Sequence, residues 1–506
     1  MKKLSIAILA LLMVGTTMVS AQEVNTMYFL ENTPMRHKIN PAFQPVSRVY
    51  VGILPLHYMT LSAGNNALAL NDLIYSKNNK LITGLYPGET DKLANRLKND
   101  LRFTMNSELA ILNFGARTKD SLGYFHVGLN ARMEGTMAFP GDIYEALNSG
   151  LDNAGGRRVN LQALSLNMQL LAELSGGYSR KVNDHWTVGG KLKFLYGLGF
   201  MDLRTNTAYL DMHPDELHAI INGDVNIAAP IKNLPERLDK DNFNSLTNFD
   251  TQVGSILKPK GLGGALDLGF TYKPVEQFQL AVSVTDLGFV YWNSATYSIK
   301  GDTTYTGPVM HYSEINSNTA NEQNTGINAI IDTITTYATA FIEKSMVGHR
   351  TGTSGVARMT NTRLHIGVDG NFCDNKIGVG VYSQTQFRNR RVYEELTLGL
   401  SLRPVNWFNF ALSYSFLNGR WNSIGAGLSI MPYDGLNLTV MTDYIPFTYA
   451  DVIDNNGKSV TVPYKMKGLN VALGLTIVAG TNPSKPKKQQ LVVPDRVNDV
   501  PTNTDL

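Results

Sequence analysis

The stretch Trp407-Phe408-Asn409-Phe410-Ala411-Leu412-Ser413-Tyr414-Ser415-Phe416 decides the fold. Phe408, Phe410, Leu412, Tyr414 and Phe416 share one parity, while Asn409, Ala411, Ser413 and Ser415 share the other. Successive side chains of a strand point to opposite faces, so the segment has one apolar face and one small, polar face. Its neighbours repeat the pattern. Leu396, Leu398, Leu400 and Leu402 alternate with Glu395, Thr397, Gly399, Ser401 and Arg403, and Ile424, Ala426, Leu428 and Ile430 with Ser423, Gly425, Gly427 and Ser429. Leu469, Val471, Leu473, Leu475 and Ile477 alternate with Asn470, Ala472, Gly474 and Thr476. One such strand also suits a soluble sheet. A series of them, apolar toward lipid and small or polar toward a lumen, is the pattern of a transmembrane barrel.

Similar segments lie near 48–62, 102–117, 122–138, 164–182, 186–204, 261–274, 277–292, 361–373 and 375–388. Adding 393–404, 407–418, 421–431, 435–447 and 467–479 gives an all-β, antiparallel transmembrane barrel of about 14 strands, an even number as bacterial barrels prefer. Tight turns close every second connection: Lys119-Asp120, Asn183-Asp184, Lys273-Pro274-Val275, Asp374-Asn375, Pro404-Val405 and Pro432-Tyr433-Asp434-Gly435. The long insertions, near 63–101, 139–163, 205–260, 293–360 and 448–466, all fall in the other set. Short periplasmic turns and long extracellular loops would produce this division. It places both ends of the barrel in the periplasm and short loop helices outside. Trp186, Phe278, Trp407 and Phe408 are expected in an inner aromatic girdle, and Trp292, Trp421, Tyr444 and Phe447 in an outer one.

Composition agrees. The 506 residues carry 45 basic against 42 acidic side chains, only 17% charge and 45 glycines. A net charge of +3 gives no reason to expect nucleic acid. The single cysteine, Cys373, excludes an internal disulfide framework. Lys2 and Lys3, the apolar Leu4 to Val14 and the small Val19-Ser20-Ala21 read as a secretory signal over 1–21. An N-terminal periplasmic or plug segment is expected over 22–47, the barrel over 48–480, and a disordered periplasmic tail over 481–506.

Asn40-Pro41-Ala42-Phe43 is similar to the Asn-Pro-Ala that opens FadL-like long-chain fatty-acid transporter barrels. The segment Lys260 to Tyr272, containing Asp267-Leu268-Gly269, precedes Ser283-Val284-Thr285-Asp286-Leu287-Gly288. Together they resemble the paired Asp-Leu-Gly hairpin of FadL- and PorV-type barrels of Bacteroidota. Asn25-Thr26-Met27-Tyr28-Phe29 suggests a separate family within that group. The resemblance implies a fourteen-stranded outer-membrane barrel and leaves the cargo open.

Parity assigns Lys191, Lys193, Asp267, Arg363, His365, Asp369, Glu395 and Arg403 to the lumen, with His126, Arg132, Glu134 and Glu173. A Lys or Arg facing lipid at mid-depth would cost about 2–4 kcal/mol. These side chains are candidates for a polar conduit, or for a structural network closing a narrow barrel. Asp286 breaks phase when counted from Phe278, which calls for a bulge or a position above the hydrocarbon. In loop 293–360, Ile327, Ile330, Ile331, Ile334, Tyr337, Ala338 and Phe341 follow a helical period. Ile330, Ile331, Ile334 and Phe341 are therefore candidates for hydrophobic capture, against the alternative of a lid; Leu68, Leu70, Leu73 and Ile74 offer a similar apolar set.

No catalytic arrangement stands out. Gly352-Thr353-Ser354-Gly355 lacks the spacing of a nucleophile elbow, and the nine histidines show no metal-ligand spacing. A non-enzyme without metal or cofactor is expected, working by passive transport of small molecules, hydrophobic ones included. The alternative is a non-transporting scaffold or accessory barrel. Expected partners are outer-membrane lipids, with either a hydrophobic small molecule or secretion and assembly proteins.

Overall fold

The computed structural model describes residues 24–68, 74–77, 80–83, 100–142, 157–213, 216–238, 250, 253–256, 258–306, 348–388, 391–417, 420–433, 435–445, 449–453, 459–463 and 468–480. The segments named above form a closed antiparallel barrel of 14 strands. They are β1 (Val49–Asn65), β2 (Leu101–Arg117), β3 (Gly123–Phe139), β4 (Ser165–Lys181), β5 (Trp186–His213), β6 (Gly261–Val275) and β7 (Phe278–Thr306). The eighth, β8, runs in two pieces, Gly348–Met359 and Thr362–Phe372. Then come β9 (Ile377–Arg388), β10 (Arg391–Val405), β11 (Phe408–Leu417), β12 (Arg420–Tyr433), β13 (Leu436–Ile445) and β14 (Gly468–Ala479). β1 pairs with β2 on one flank and with β14 on the other, from Val49↔Ala479 to Gly64↔Gly468. Closure satisfies the backbone internally, as lipid demands.

The outward parity is apolar and uncovered: Leu192 is 71% exposed and Met359 75%. The inward parity of β11, Asn409, Ala411, Ser413 and Ser415, is buried. Two strands are much longer than alternation suggested. β5 has 28 residues and β7 has 29, where about 9–11 cross a bilayer. Much of the expected loops 205–260 and 293–360 is therefore strand. Glu216–Ala228 pairs with β5 on one side and β7 on the other, filling the space beyond the end of β6. Past the hydrocarbon the outer face need not be apolar, so Arg204, Thr205, Asn206 and Thr207 show no alternation. Among the described residues, the loop helix is the short Val253–Ile256. Ile74, expected in an apolar helix, lies instead in the hairpin Ile74–Lys77/Lys80–Thr83.

A bulge sits at Asp286. Leu266 pairs with Leu287 but Leu268 pairs with Val284, so Asp267 faces both Thr285 and Asp286. Asp286 takes a left-handed φ of 56°. The extra residue reverses the parity of β7: Ala281, Ser283 and Thr285 are buried, then Asp286, Val290 and Trp292. This corrects the outer girdle. Trp292 points inward and stacks on Phe200 at 4.9 Å, and Tyr444 is buried as well. At the turn end Trp186 packs against Tyr272 and Phe270, and Trp407 against Phe408. The signal region 1–21, the candidate face Ile330, Ile331, Ile334 and Phe341, and the tail 481–506 lie outside the described residues.

Candidate functional site in the barrel lumen

Residues 24–43 run inside the barrel as two 3-10 turns, Asn25–Phe29 and Pro34–Lys38, with a linker between. Their apolar side chains, Met27, Tyr28, Phe29, Leu30, Met35, Ile39 and Phe43, form one buried cluster with the wall. This explains the small residues of the inner face. A Cβ at Gly399 would lie 2.3 Å from the Phe29 ring, and one at Gly367 would lie 2.4 Å from the Tyr28 ring. A Cβ at Gly189 would strike the Pro41 backbone at 2.4 Å. The glycines that read as lumen lining are seats for an internal plug.

Polar contacts fix its orientation. Asp443 on β13 accepts the main-chain N–H of Asn25 at 2.6 Å and of Thr26 at 2.9 Å, and also the Thr26 hydroxyl. Asn470 on β14 donates to the same carboxylate at 3.0 Å. Tyr28 donates its hydroxyl to Asp369 and stacks on Tyr382 at 4.7 Å. The Asn40 carboxamide donates to the carbonyls of Phe270 and Val282, each at 3.2 Å, while its oxygen accepts the Ala42 N–H at 2.9 Å. Asn40 thus ties the plug to β6 and β7 together, beside Gly269, where a Cβ would lie 2.2 Å from its oxygen. Lys38 pairs with Glu108 and Glu31 with Arg403.

The candidate charges divide into groups. Asp286 accepts from Arg132 at 2.8 and 3.0 Å, from Lys193 at 2.6 Å and from Arg363 at 2.7 Å. Arg132 also donates to Glu173 at 2.7 Å and to Glu134 at 2.8 Å. Lys193 reaches Asp267 at 2.9 Å and Lys191 reaches it at 3.5 Å. Arg132, Lys191, Lys193 and Arg363 thereby balance Glu134, Glu173, Asp267 and Asp286, charge for charge. Such a closed network holds strands together and leaves little free charge for a solute. His365 belongs to a second group, hydrogen-bonded to Thr285 at 2.9 Å and to the Tyr382 hydroxyl at 2.7 Å. Asp369 and Arg403 hold the plug, through Tyr28 and Glu31. His126 stacks on His37 of the plug at 4.2 Å, and Tyr50 hydrogen-bonds His37 at 3.0 Å. Between Val24, Asn106, Glu108, Arg132 and Arg363 remains a cavity of about 20 Å³, room for a water or two.

Sequence reading passed over Gln384, Gln386 and Arg388, which follow Tyr382 on the inward parity of β9 and are 0%, 0% and 4% exposed. Both polar atoms of each Gln and all three guanidinium nitrogens of Arg388 lack a hydrogen-bond partner in the protein. Glu395 pairs across the ladder with Gln384. Asn25 and Ser415 lie near it, yet neither carboxylate oxygen accepts a well-formed hydrogen bond. The signal for the glutamines was their parity with Tyr382. Asp443 was missed too, though it shares the inner parity of Asn437 and Thr439. Among the described residues, no group of His, Cys, Asp and Glu could hold a metal.

No curated protein matches this sequence. Solved barrels resemble it in layout. A FadL homologue of Pseudomonas aeruginosa is 11% identical, with 92% of this chain and 100% of that one covered and a TM-score of 0.42. The toluene transporter TbuX of Ralstonia pickettii is 10% identical, over 88% of this chain and 94% of that one, with a TM-score of 0.40. The toluene transporter TodX of P. putida is 8% identical, over 92% and 96%, with a TM-score of 0.40. The model of a family of unknown function, DUF5723, matches residues 41–443, from the Pro41 of the plug to the Asp443 that anchors it, and the chain belongs to that family.

Proposed function

We propose that the protein is a plugged outer-membrane barrel that passes small molecules when residues 24–43 withdraw from the wall. The observation that carries this reading is the attachment of the plug. It is held by its apolar cluster against the wall and by hydrogen bonds and ion pairs to Asp443, Asp369, Phe270, Val282, Glu108 and Arg403, and by no strand pairing with the barrel. Contacts of this kind break and re-form without disturbing the ladder. In this reading a cleaved leader over 1–21 exports the chain, the tight turns face the periplasm and the long strands project outside. Hydrocarbon cargo of the kind carried by TbuX and TodX would cross a lumen lined here with charge, so a polar solute suits the path better. Liposomes carrying the purified protein test the reading: small solutes should escape slowly through the wild type and several-fold faster through Asp443→Asn. Liposomes left tight by both proteins would refute it.

One feature favours an accessory role as a second reading. β5, β7 and Glu216–Ala228 continue beyond the barrel around their own core of Val159, Leu161, Ile221, Val225 and Ile299, a platform suited to a partner protein and similar in use to PorV-type barrels. Cross-linking in intact cells through cysteines at exposed platform positions tests it; recovery of the barrel alone would remove this reading.

A further inference from the structure

We infer that Arg388, Gln386, Gln384 and Glu395 form a lumenal site for a short zwitterionic peptide, with its carboxylate on Arg388, its ammonium on Glu395 and its amides on the glutamines. This names the substrate class of the proposed channel and rests on that reading. The four side chains are buried to 4% exposure or less, yet their amide, guanidinium and carboxylate groups make no well-formed hydrogen bond within the protein, Arg388 resting beside the Tyr393 ring at 5.3 Å. Buried polar groups are nearly always paired, and leaving them unpaired is costly. Elsewhere among the described residues the unpaired atoms are single ones, such as His126 Nε2, Asn409 Nδ2 or Trp292 Nε1; here whole amide, guanidinium and carboxylate groups on neighbouring positions lack partners together. The lapse is also organised. Gln384, Gln386 and Arg388 share one face of β9, and Glu395 lies directly across the ladder from Gln384.

The chemistry of the row selects the ligand. A guanidinium with free N–H groups favours a carboxylate, which it can grip through two parallel hydrogen bonds. Each glutamine offers a C=O and an NH2, the complement of a peptide group. A carboxylate without donors suits an ammonium. Arg388 stands four residues from the position facing Glu395, about 13 Å along the strand. Long side chains shorten that gap to the span of two or three extended residues, about 7–10 Å. A hydrocarbon would leave all these groups unsatisfied. The plug turn Asn25–Phe29 packs against β9 and β10, so its withdrawal opens the row to the lumen.

Trialanine is the probe, measured by calorimetry on the full-length protein in detergent, both wild type and with the plug loosened by Asp443→Asn. Each variant is first checked for the heat-modifiable band shift of a folded barrel. Trialanine should bind, and Arg388→Gln and Glu395→Gln should each weaken it at least tenfold. N-acetyl-trialanine should bind at least tenfold more weakly than trialanine to the parent, yet equally to Glu395→Gln. Trialanine amide should behave likewise toward Arg388→Gln. Gln384→Leu with Gln386→Leu should abolish binding while raising the thermal stability of the empty barrel. No binding at about 10 mM in either background, or binding indifferent to Arg388 and Glu395, overturns the inference. Lower stability of the double Leu variant with unchanged binding does the same, because the glutamines are then structural. Solute flux is read separately. Flux without trialanine binding removes this inference and leaves the channel, whereas binding without flux removes the channel and leaves the site.

Discussion

The Asp267 carboxylate accepts the main-chain N–H of Asp286 across the β6–β7 ladder at 2.7 Å. That bond holds the bulge whose extra residue turns the Asp286 side chain inward, onto Arg132, Lys193 and Arg363. One displaced residue converts an aspartate that would have faced lipid into the hub of the lumenal network. Removing it takes a shared carboxylate from three buried cations, of which Arg132 keeps Glu134 and Glu173 and Lys193 keeps Asp267. Asp286→Ala should therefore lose about 3–5 kcal/mol in urea unfolding of the refolded barrel. Asp286→Asn keeps a residue tolerant of left-handed φ and should lose less than the alanine. An alanine variant within about 0.5 kcal/mol of the wild type would mean that the network contributes nothing net.

Asp443 anchors the plug and, through Asn470, also ties β13 to β14. Asp443→Asn exchanges a charged acceptor of three plug hydrogen bonds for a neutral one, a loss of about 1.5–3 kcal/mol of docking. Limited proteolysis should then cut between residues 24 and 43 at a protease concentration that leaves the wild type intact. The barrel itself should remain heat-modifiable. Loss of the band shift would instead make Asp443 chiefly a barrel residue.

Gly189→Ala tests the seat directly. Its new Cβ meets the Pro41 backbone, which cannot rotate aside as a side-chain end could. The variant should fold and expose the plug to protease, whereas Gly176→Ala, with nothing within 4 Å of its Cβ, should match the wild type. Equal protease resistance in both variants would contradict the docking described here.

Docking should weaken in acid. Burial, followed by the nearby His126, Lys191 and Lys38, holds the pKa of His37 well below its usual 6.5. The docked ring therefore stays neutral while a withdrawn plug binds a proton below that pH. More protons on the withdrawn state means that docking is lost as pH falls, by about 1.4 kcal/mol per unit below 6.5 for this one ring. Solute release from liposomes should rise between pH 6.5 and 5, and His37→Phe should flatten the profile. An identical rise in the variant would assign the effect to another group.

Much of the barrel was legible because lipid imposes a period on every strand it touches. Trp407 to Phe416 could be read from parity alone. Where β5 and β7 leave the hydrocarbon that constraint ends, and Arg204 to Thr207 or Thr296 to Thr306 carry no signal that separates strand from loop. Asp286 announced its bulge by breaking phase, yet the reversal it imposes on Trp292 escaped a count begun at Phe278. The lumenal charges could be assigned to a face, but their sorting into a closed network, a plug clasp and an unpaired row depends on cross-ladder register. Gly399, Gly425 and Gly427 read as a generic small lining; only Phe29, Thr26 and Leu30 of the plug against them explain why no larger residue fits.

The most direct test of the account is a reversible lock. A Cβ at Gly425 would lie 2.5 Å from the Thr26 hydroxyl, 2.2 Å from that of Ser413 and 2.9 Å from the Asp443 Cα, so Thr26→Cys and Gly425→Cys can join once the Ser413 hydroxyl turns aside and the plug shifts to make room. In a Cys373→Ser background, the oxidised double variant in liposomes should release small solutes at the protein-free rate, and a reductant should restore release to the level of either single variant. Release that continues unchanged with the lock closed would contradict the claim that solutes pass only when the plug withdraws.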